Sequence, residues 1–260
     1  MTVNITNHII NALTWQNWHI CRPERLNALG TTLARELTDT LEYARDHLAP
    51  EVRAVVITAE TVVKSGQAYW IAGGDLVELS ELNQKHQARD YAKTMREFCE
   101  GLEALPVPVV TVVDGSAIGG GAELALAGDL RLATVRSTFE FKQLKLGLAT
   151  GYGSACRLVD LLGKSKVQSL LYLCSSIDAE TAHREGLIHS LISSATSEEI
   201  ALQLLPLLEL EPRAVRAQKK MLRLATSQPS GDHRWADEIF ESIWLNETHA
   251  KNLAEFKSRR

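Results

Sequence analysis

Residues 106–134 read PVPVVTVVDGSAIGGGAELALAGDLRLAT, and the order of residue types in this stretch decides the fold. PVPVVTVVDG is a continuous apolar, β-branched run, which predicts a strand buried on both faces. Asp114-Gly115 ends it. Gly119, Gly120 and Gly121 then open IGGGAELALAG, a small and helix-prone segment, before DLRLAT returns to strand character. Consecutive glycines at a helix start let a ligand approach the backbone closely. They also leave free N–H groups at the positive end of the helix dipole, which stabilises negative charge on a phosphate or a developing oxyanion. Three readings compete. A dinucleotide fingerprint needs G-x-G-x-x-G, and GSAIGGG does not supply it. Tight helix–sheet packing is the second. The third is an oxyanion site with Glu123, in the first turn of the same helix, as acid or base. A glutamate there also reads as a dipole partner. The upstream WIAGGD favours the third reading, because Gly73 and Gly74 form a second glycine turn after an apolar strand.

Outward from this stretch, the first twenty residues alternate like strands, with Val3, Ile5, Ile9, Leu13, Trp15 and Ile20 apolar. CRPERLNALG is a loop, marked by Pro23, Asn27 and Gly30. Leu33, Leu37, Leu41 and Ala44 predict a helix from Thr31 to about residue 48. RAVVIT (53–58) is a short buried strand, followed by a polar loop to Gly66. Tyr91, Met95, Phe98, Leu102 and Leu105 predict a helix over about 87–105. STFEF is a further strand. From Gly151 onward the chain reads as almost all helix, with a polar break at 193–198.

The chain has 260 residues, 45% hydrophobic and 23% charged, the balance of a globular protein that needs no disulfide or metal to hold a core. A net charge of -4 argues against a nucleic-acid binder. Cys21, Cys99, Cys156 and Cys174 are far apart, and no Cys/His pair has a recognised metal-ligand spacing. Reduced thiols, no metal and a cytoplasmic location are therefore expected. Neither a signal peptide nor a membrane span is expected.

Several segments together resemble the enoyl-CoA hydratase/isomerase (crotonase) family. RPERLNAL resembles its opening loop, WIAGGD its A-G-x-D turn, and residues 106–134 its central signature. GLATGYGSACRLVDLLG, IDAETAHREGLIHSL and NLAEFKSRR resemble its later helices. The resemblance implies an α/β fold, a crotonase-like spiral of ββα units over residues 1–195. A helical C-terminal region, residues 196–260, would trimerise. It implies an acyl-CoA thioester substrate, with coenzyme A arriving as part of it and no permanently bound cofactor. The partners implied are copies of the chain in a homotrimer or dimer of trimers, with no nucleic acid or membrane. The Gly74 and Gly120 N–H groups would polarise the thioester carbonyl and hold an enolate. Arg25, Leu26, Ala28 and Ala72, with Gly73 and Asp75 of the turn, would line the CoA site. Phe256 and Arg259 would reach a neighbour's CoA.

The sequence departs from the family at one position. Its hydratases use two glutamates; Glu123 matches the first, and Gln143 stands where the second is expected. Glutamine orients a water but cannot exchange a proton near neutral pH. Glu140 is a weaker substitute, read as an exposed strand charge. FKQLKLGLATGYGSACRLVDLLG is similar to ethylmalonyl-CoA decarboxylases, which also lack the second glutamate. GYGSA resembles dihydroxynaphthoyl-CoA synthase, but Thr150 and Gly151 stand where that branch carries an aspartate. The alternatives to a hydratase or isomerase are therefore a decarboxylase or an inactive CoA-binding protein. The loop ETVVKSGQAYW is expected to reshape the acyl pocket, and Tyr152 to wall it or donate a proton. His183 and His189 flank a helix end and are expected in surface or capping roles. Arg213, Arg216, Lys220 and Arg223 read as a solvated face or a contact for CoA phosphates.

Overall fold

The computed structural model describes residues 2–227, 234–244 and 246–258. The chain opens as a hairpin of β1 (Val3–Ile10) and β2 (Leu13–Ile20), turned by Asn11 and Ala12 at φ of 50° and 63°. Two left-handed residues in succession give a turn whose twist matches paired strands. Next come α1 (Thr31–His47), β3 (Val52–Ala59), β4 (Val62–Lys64), β5 (Gln67–Ile71), α2 (Leu76–Ser80) and α3 (Lys85–Ala104). The decisive stretch supplies β6 (Val109–Val113), β7 (Ser116–Ile118), α4 (Gly120–Ala125) and β8 (Leu130–Thr134). It is followed by β9 (Thr138–Glu140), α5 (Ser154–Leu162), α6 (Lys164–Tyr172), β10 (Ser176–Asp178), α7 (Ala179–Arg184) and β11 (Ser190–Ile192). Four helices complete the described chain: α8 (Ser197–Leu208), α9 (Pro212–Ser227), α10 (Arg234–Ile243) and α11 (Glu247–Ser258).

One sheet has the order β1-β2-β3-β6-β8-β11, and a second has β10-β9-β7-β5-β4. β3, β6 and β8 are parallel neighbours in the first sheet, and each is followed in sequence by a strand of the second. That succession, strand, crossing strand, helix, is the spiral of ββα units. Strand alternation divides the core into two faces. Trp18, Ile20, Val55, Ile57, Val109 and Val113 pack with α1, α3 and the second sheet. Trp15, Val56, Val110, Val112 and Leu132 pack with Ile200, Leu204 and Leu208 of α8. Helix α8, at the head of the C-terminal region, thus buries its apolar side against the sheet.

One expectation is refined and one corrected. The region after Gly151 is almost all helix, but β10 and β11 interrupt it. Each is three residues long, too short to show alternation, and is defined by pairing with β9 and β8. The segment ETVVKSGQAYW is not an open loop. Ser65 and Gly66, at φ of 52° and 80°, turn it into the β4–β5 hairpin at a sheet edge.

Candidate active site

The two glycine turns meet. A side-chain carbon added at Gly73 would lie 2.9 Å from the Ile118 carbonyl oxygen and 3.8 Å from the Gly120 nitrogen. Gly73 (φ +89°) and Gly119 (φ +51°) adopt backbone that other residues rarely adopt. In each turn neighbouring backbone groups are bonded and free N–H groups remain. The Gly73 carbonyl accepts from Leu29 N–H at 2.6 Å, and Asp75 N–H donates to the Leu29 carbonyl at 3.0 Å. Gly119 N–H donates to the Glu140 carbonyl at 2.6 Å, and the Gly119 carbonyl accepts from Glu123 N–H at 3.0 Å. Among the described residues, the Gly73, Gly74 and Gly120 N–H groups have no hydrogen-bond acceptor.

Glu123 is 2% exposed, and four donors hold its carboxylate. Oε1 accepts from Gln143 Nε2 at 2.7 Å and Gly151 N–H at 3.2 Å. Oε2 accepts from Tyr152 N–H and Ser154 Oγ, each at 2.8 Å. A carboxylate offers about four acceptor positions, so every one is in use. No ion pair reaches Glu123 among the described residues. Gln143 opens a single turn of 3₁₀ helix over residues 143–146, and its other amide atom, Oε1, is buried without a partner.

Sequence reasoning missed how the donor segment 151–154 is held. Arg157 Nη1 donates to the Tyr152 carbonyl at 2.7 Å, while its Nε pairs with Glu103. The Tyr152 ring lies on Gly120, where an added carbon would be 2.7 Å from Cε2. Tyr91 Oη donates to the Leu29 carbonyl at 2.6 Å. Its one proton is thereby placed, so Tyr152 Oη is the donor in the 2.7 Å contact between the two hydroxyls. Burial pushes Tyr91 up to about 12 and Tyr152 well above 10. Both remain neutral near pH 7.

The structure brings together the residues expected around CoA. Ala72 N–H donates to the Leu26 carbonyl at 3.1 Å, and Arg25 Nε lies 4.0 Å from Asp75 Oδ2. Arg25 is exposed, Leu26 and Ala72 are half-buried, and Ala28 is buried. Asp75 serves the frame: Oδ1 caps α2 through the Val77 and Glu78 N–H groups, and Oδ2 faces Arg22 at 3.1 Å. Arg22 also pairs with Glu78 at 2.6 Å. Burial raises the Glu78 carboxyl, but hydrogen bonds from Thr32, Thr31 and Arg22 outweigh this and hold it below the ordinary carboxylate value. The organiser of the loop is Asn27, fully buried. Its Oδ1 accepts from Arg22 N–H, and its Nδ2 donates to the Glu60 and Trp70 carbonyls.

The other expected positions resolve one by one. Glu140 is not an exposed charge but 6% exposed, paired with Lys142 and accepting from Thr138 Oγ1 at 3.3 Å. His183 is exposed, and His189 Nδ1 accepts from the Arg131 N–H at 3.0 Å. Arg213, Arg216, Lys220 and Arg223 line a cavity of about 710 Å³ between α9, α10 and the end of α3, which contains none of the glycine turns. The buried cation of α9 is Lys219, bonded to the Leu102 and Val107 carbonyls and to Asp129 at 2.7 Å. The Phe256 side chain and Arg259 lie outside the described residues.

The family model described as enoyl-CoA hydratase/isomerase matches residues 17–260. A crotonyl-CoA hydratase of Syntrophomonas wolfei is 32% identical over 174 residues, 67% of this chain and 64% of that relative. The chain thus spans just under two thirds of that relative's length. A short-chain-enoyl-CoA hydratase of Clostridium acetobutylicum is 32% identical over 187 residues, 70% of this chain and 68% of the relative. The crystal structure of an enoyl-CoA hydratase from Bacillus anthracis superposes with a TM-score of 0.86 at 25% identity. That match covers 100% of this chain and 97% of the other.

Proposed function

The chain belongs to the enoyl-CoA hydratase/isomerase family, and we propose that it converts an acyl-CoA thioester through an enolate, with Glu123 as its single proton-carrying carboxylate. The thioester oxygen would accept from the Gly74 and Gly120 N–H groups. Pre-placed donors aimed at developing charge are usually the largest catalytic contribution. Arg25, Leu26, Ala28, Ala72 and Gly73 would hold the CoA portion, and Phe256 and Arg259 of a neighbouring copy would complete it in a trimer or dimer of trimers. Leu76 and Val77 follow one turn, and Leu144, Leu146 and Leu148 follow Gln143; all five are exposed apolar side chains suited to an acyl chain.

The observation that carries this reading is the 2.7 Å contact between Gln143 Nε2 and Glu123 Oε1. An amide stands where a two-carboxylate hydratase needs a second proton carrier, and it occupies an acceptor position of the first. Glu123 takes a proton only when one of its four donors leaves. Two of these, Gly151 N–H and Tyr152 N–H, are backbone groups. Of the two side-chain donors, Gln143 has an unmatched acceptor of its own that a substrate hydroxyl or water would fill.

The same saturation of Glu123 favours a second reading, decarboxylation. Loss of carbon dioxide from a malonyl-type thioester needs an enolate site and one later protonation, but no activated water. A panel of acyl-CoA thioesters assayed by mass spectrometry separates the two. Gain of water or migration of a double bond supports the first reading, and loss of carbon dioxide supports the second. Binding of CoA thioesters without turnover of any would refute both.

A further inference from the structure

The end of β2 and the end of β3 bring three ligand-type side chains together outside the site described above. His19 and Cys21 are two residues apart, which on extended chain places both on one face. Thr58 is the register partner of His19, so Glu60, two residues on, falls on the same side. One ligand atom from each of His19, Cys21 and Glu60 lies within 4.8 Å of the other two, and His19 Nε2 is 3.5 Å from Glu60 Oε2. The backbone there is fixed: Cys21 N–H donates to the Thr2 carbonyl, and Glu60 N–H to the Ile20 carbonyl, each at 2.8 Å.

The histidine is also held in a ligating orientation. Thr58 Oγ1 donates its proton to Asn17 Oδ1 at 2.9 Å. It therefore accepts in its 2.8 Å contact with His19 Nδ1. A neutral imidazole bonded this way carries its proton on Nδ1 and its lone pair on Nε2, the atom that faces Glu60. Metal-bound histidines are oriented by the same device.

We propose that His19, Cys21 and Glu60 form a site for one borderline-soft divalent metal ion, of which zinc is the representative. Thiolate, imidazole and carboxylate are the zinc ligand set, and three protein ligands leave a fourth position for water. A tetrahedral zinc separates its ligand atoms by roughly 3.4–3.6 Å, and the exposed Glu60 side chain can close the remaining gap. His19 and Glu60 line a cavity of about 690 Å³, which gives an ion a way in. The ion would sit beside the base of the Arg22–Ala28 loop, because the Glu60 carbonyl accepts from Asn27 at 2.6 Å.

The test is titration of the chelator-stripped full chain with Zn²⁺ against a chromophoric indicator, near neutral pH. One equivalent per chain is expected. Cys21→Ser, His19→Gln and Glu60→Gln should each weaken uptake by about tenfold or more. Cys156→Ser, which alters the exposed thiol, should leave it within about twofold. Co²⁺ in the unmodified protein should show a thiolate-to-metal charge-transfer band that Cys21→Ser abolishes. The proposal is overturned by substoichiometric uptake, by a cobalt spectrum without that band, or by uptake that Cys156→Ser removes and Cys21→Ser does not. Glu60→Gln changes an exposed side chain, so it provides a variant that retains the fold.

Discussion

Glu123 and Glu140 are both nearly inaccessible, at 2% and 6% exposure, and their elements touch through the Gly119 N–H on the Glu140 carbonyl. Their partners differ in kind. Glu123 faces four neutral donors, whereas Glu140 faces the Lys142 ammonium and a threonine hydroxyl. A charge met by a cation would leave that cation unmatched if it were neutralised. A charge met by amides and a hydroxyl can gain a proton without stranding an opposite charge. Burial alone therefore does not separate the two carboxylates; the kind of compensation does.

The comparison breaks most visibly at Glu123→Gln. We expect kcat/KM on the active acyl-CoA thioester to fall by about 10³-fold, the scale of a lost proton carrier. The new amide would face donors, so stability should fall by about 1–3 kcal/mol in urea unfolding. Steady-state kinetics that stay within about threefold of the unmodified protein would end Glu123's role. Next in size is Gln143→Glu, which restores a second carboxylate. Crotonyl-CoA hydration should rise by about tenfold or more, and an unchanged rate would show that Gln143 does not limit hydration.

Alkaline pH sharpens the contrast from the wall of the site. Burial pushes the Tyr91 hydroxyl from 10.0 up to about 12, Tyr152 well above 10.0, and the Cys99 thiol from 9.0 up to about 12. The folded chain holds these protons at pH values where the unfolded chain has released them. Their contribution to stability is complete below about pH 9 and is lost as pH rises through 10 towards 12, by at most about 1.4 kcal/mol per pH unit per group. Urea midpoints measured between about pH 8 and 11 should fall, and Tyr91→Phe should flatten part of the slope. Midpoints independent of pH would show that these groups are not shielded. The smallest effect belongs to Glu140→Gln: rates within about twofold, and a stability loss of about 1 kcal/mol from the Lys142 pair. A large loss of activity there would merge the two carboxylates' roles.

Much of this was legible in the order of residues. The buried run before Asp114, the glycines that open α4, and the helical spacings in α1 and α3 are local patterns, and each formed where the sequence indicated. β10 and β11 were not legible, because three residues carry no usable period and their pairing partners lie far away in the chain. The two glycine turns could be seen in the sequence, whereas Gly74 and Gly120 were named through the family resemblance. That the Gly73 carbonyl and the Gly119 N–H are taken up is a consequence of Leu29 and Glu140 arriving from elsewhere.

The sequence by itself determined the residue types at the site: two glycine turns, one acid at Glu123 and an amide at Gln143. Tertiary structure decided what those types can do. It filled all four acceptor positions of Glu123, buried Glu140 beside Lys142, and placed Cys21 and His19 beside Glu60. The physical reason is that hydrogen-bond saturation and charge compensation depend on which groups share a desolvated volume. That is settled by packing between distant segments, and no local spacing encodes it.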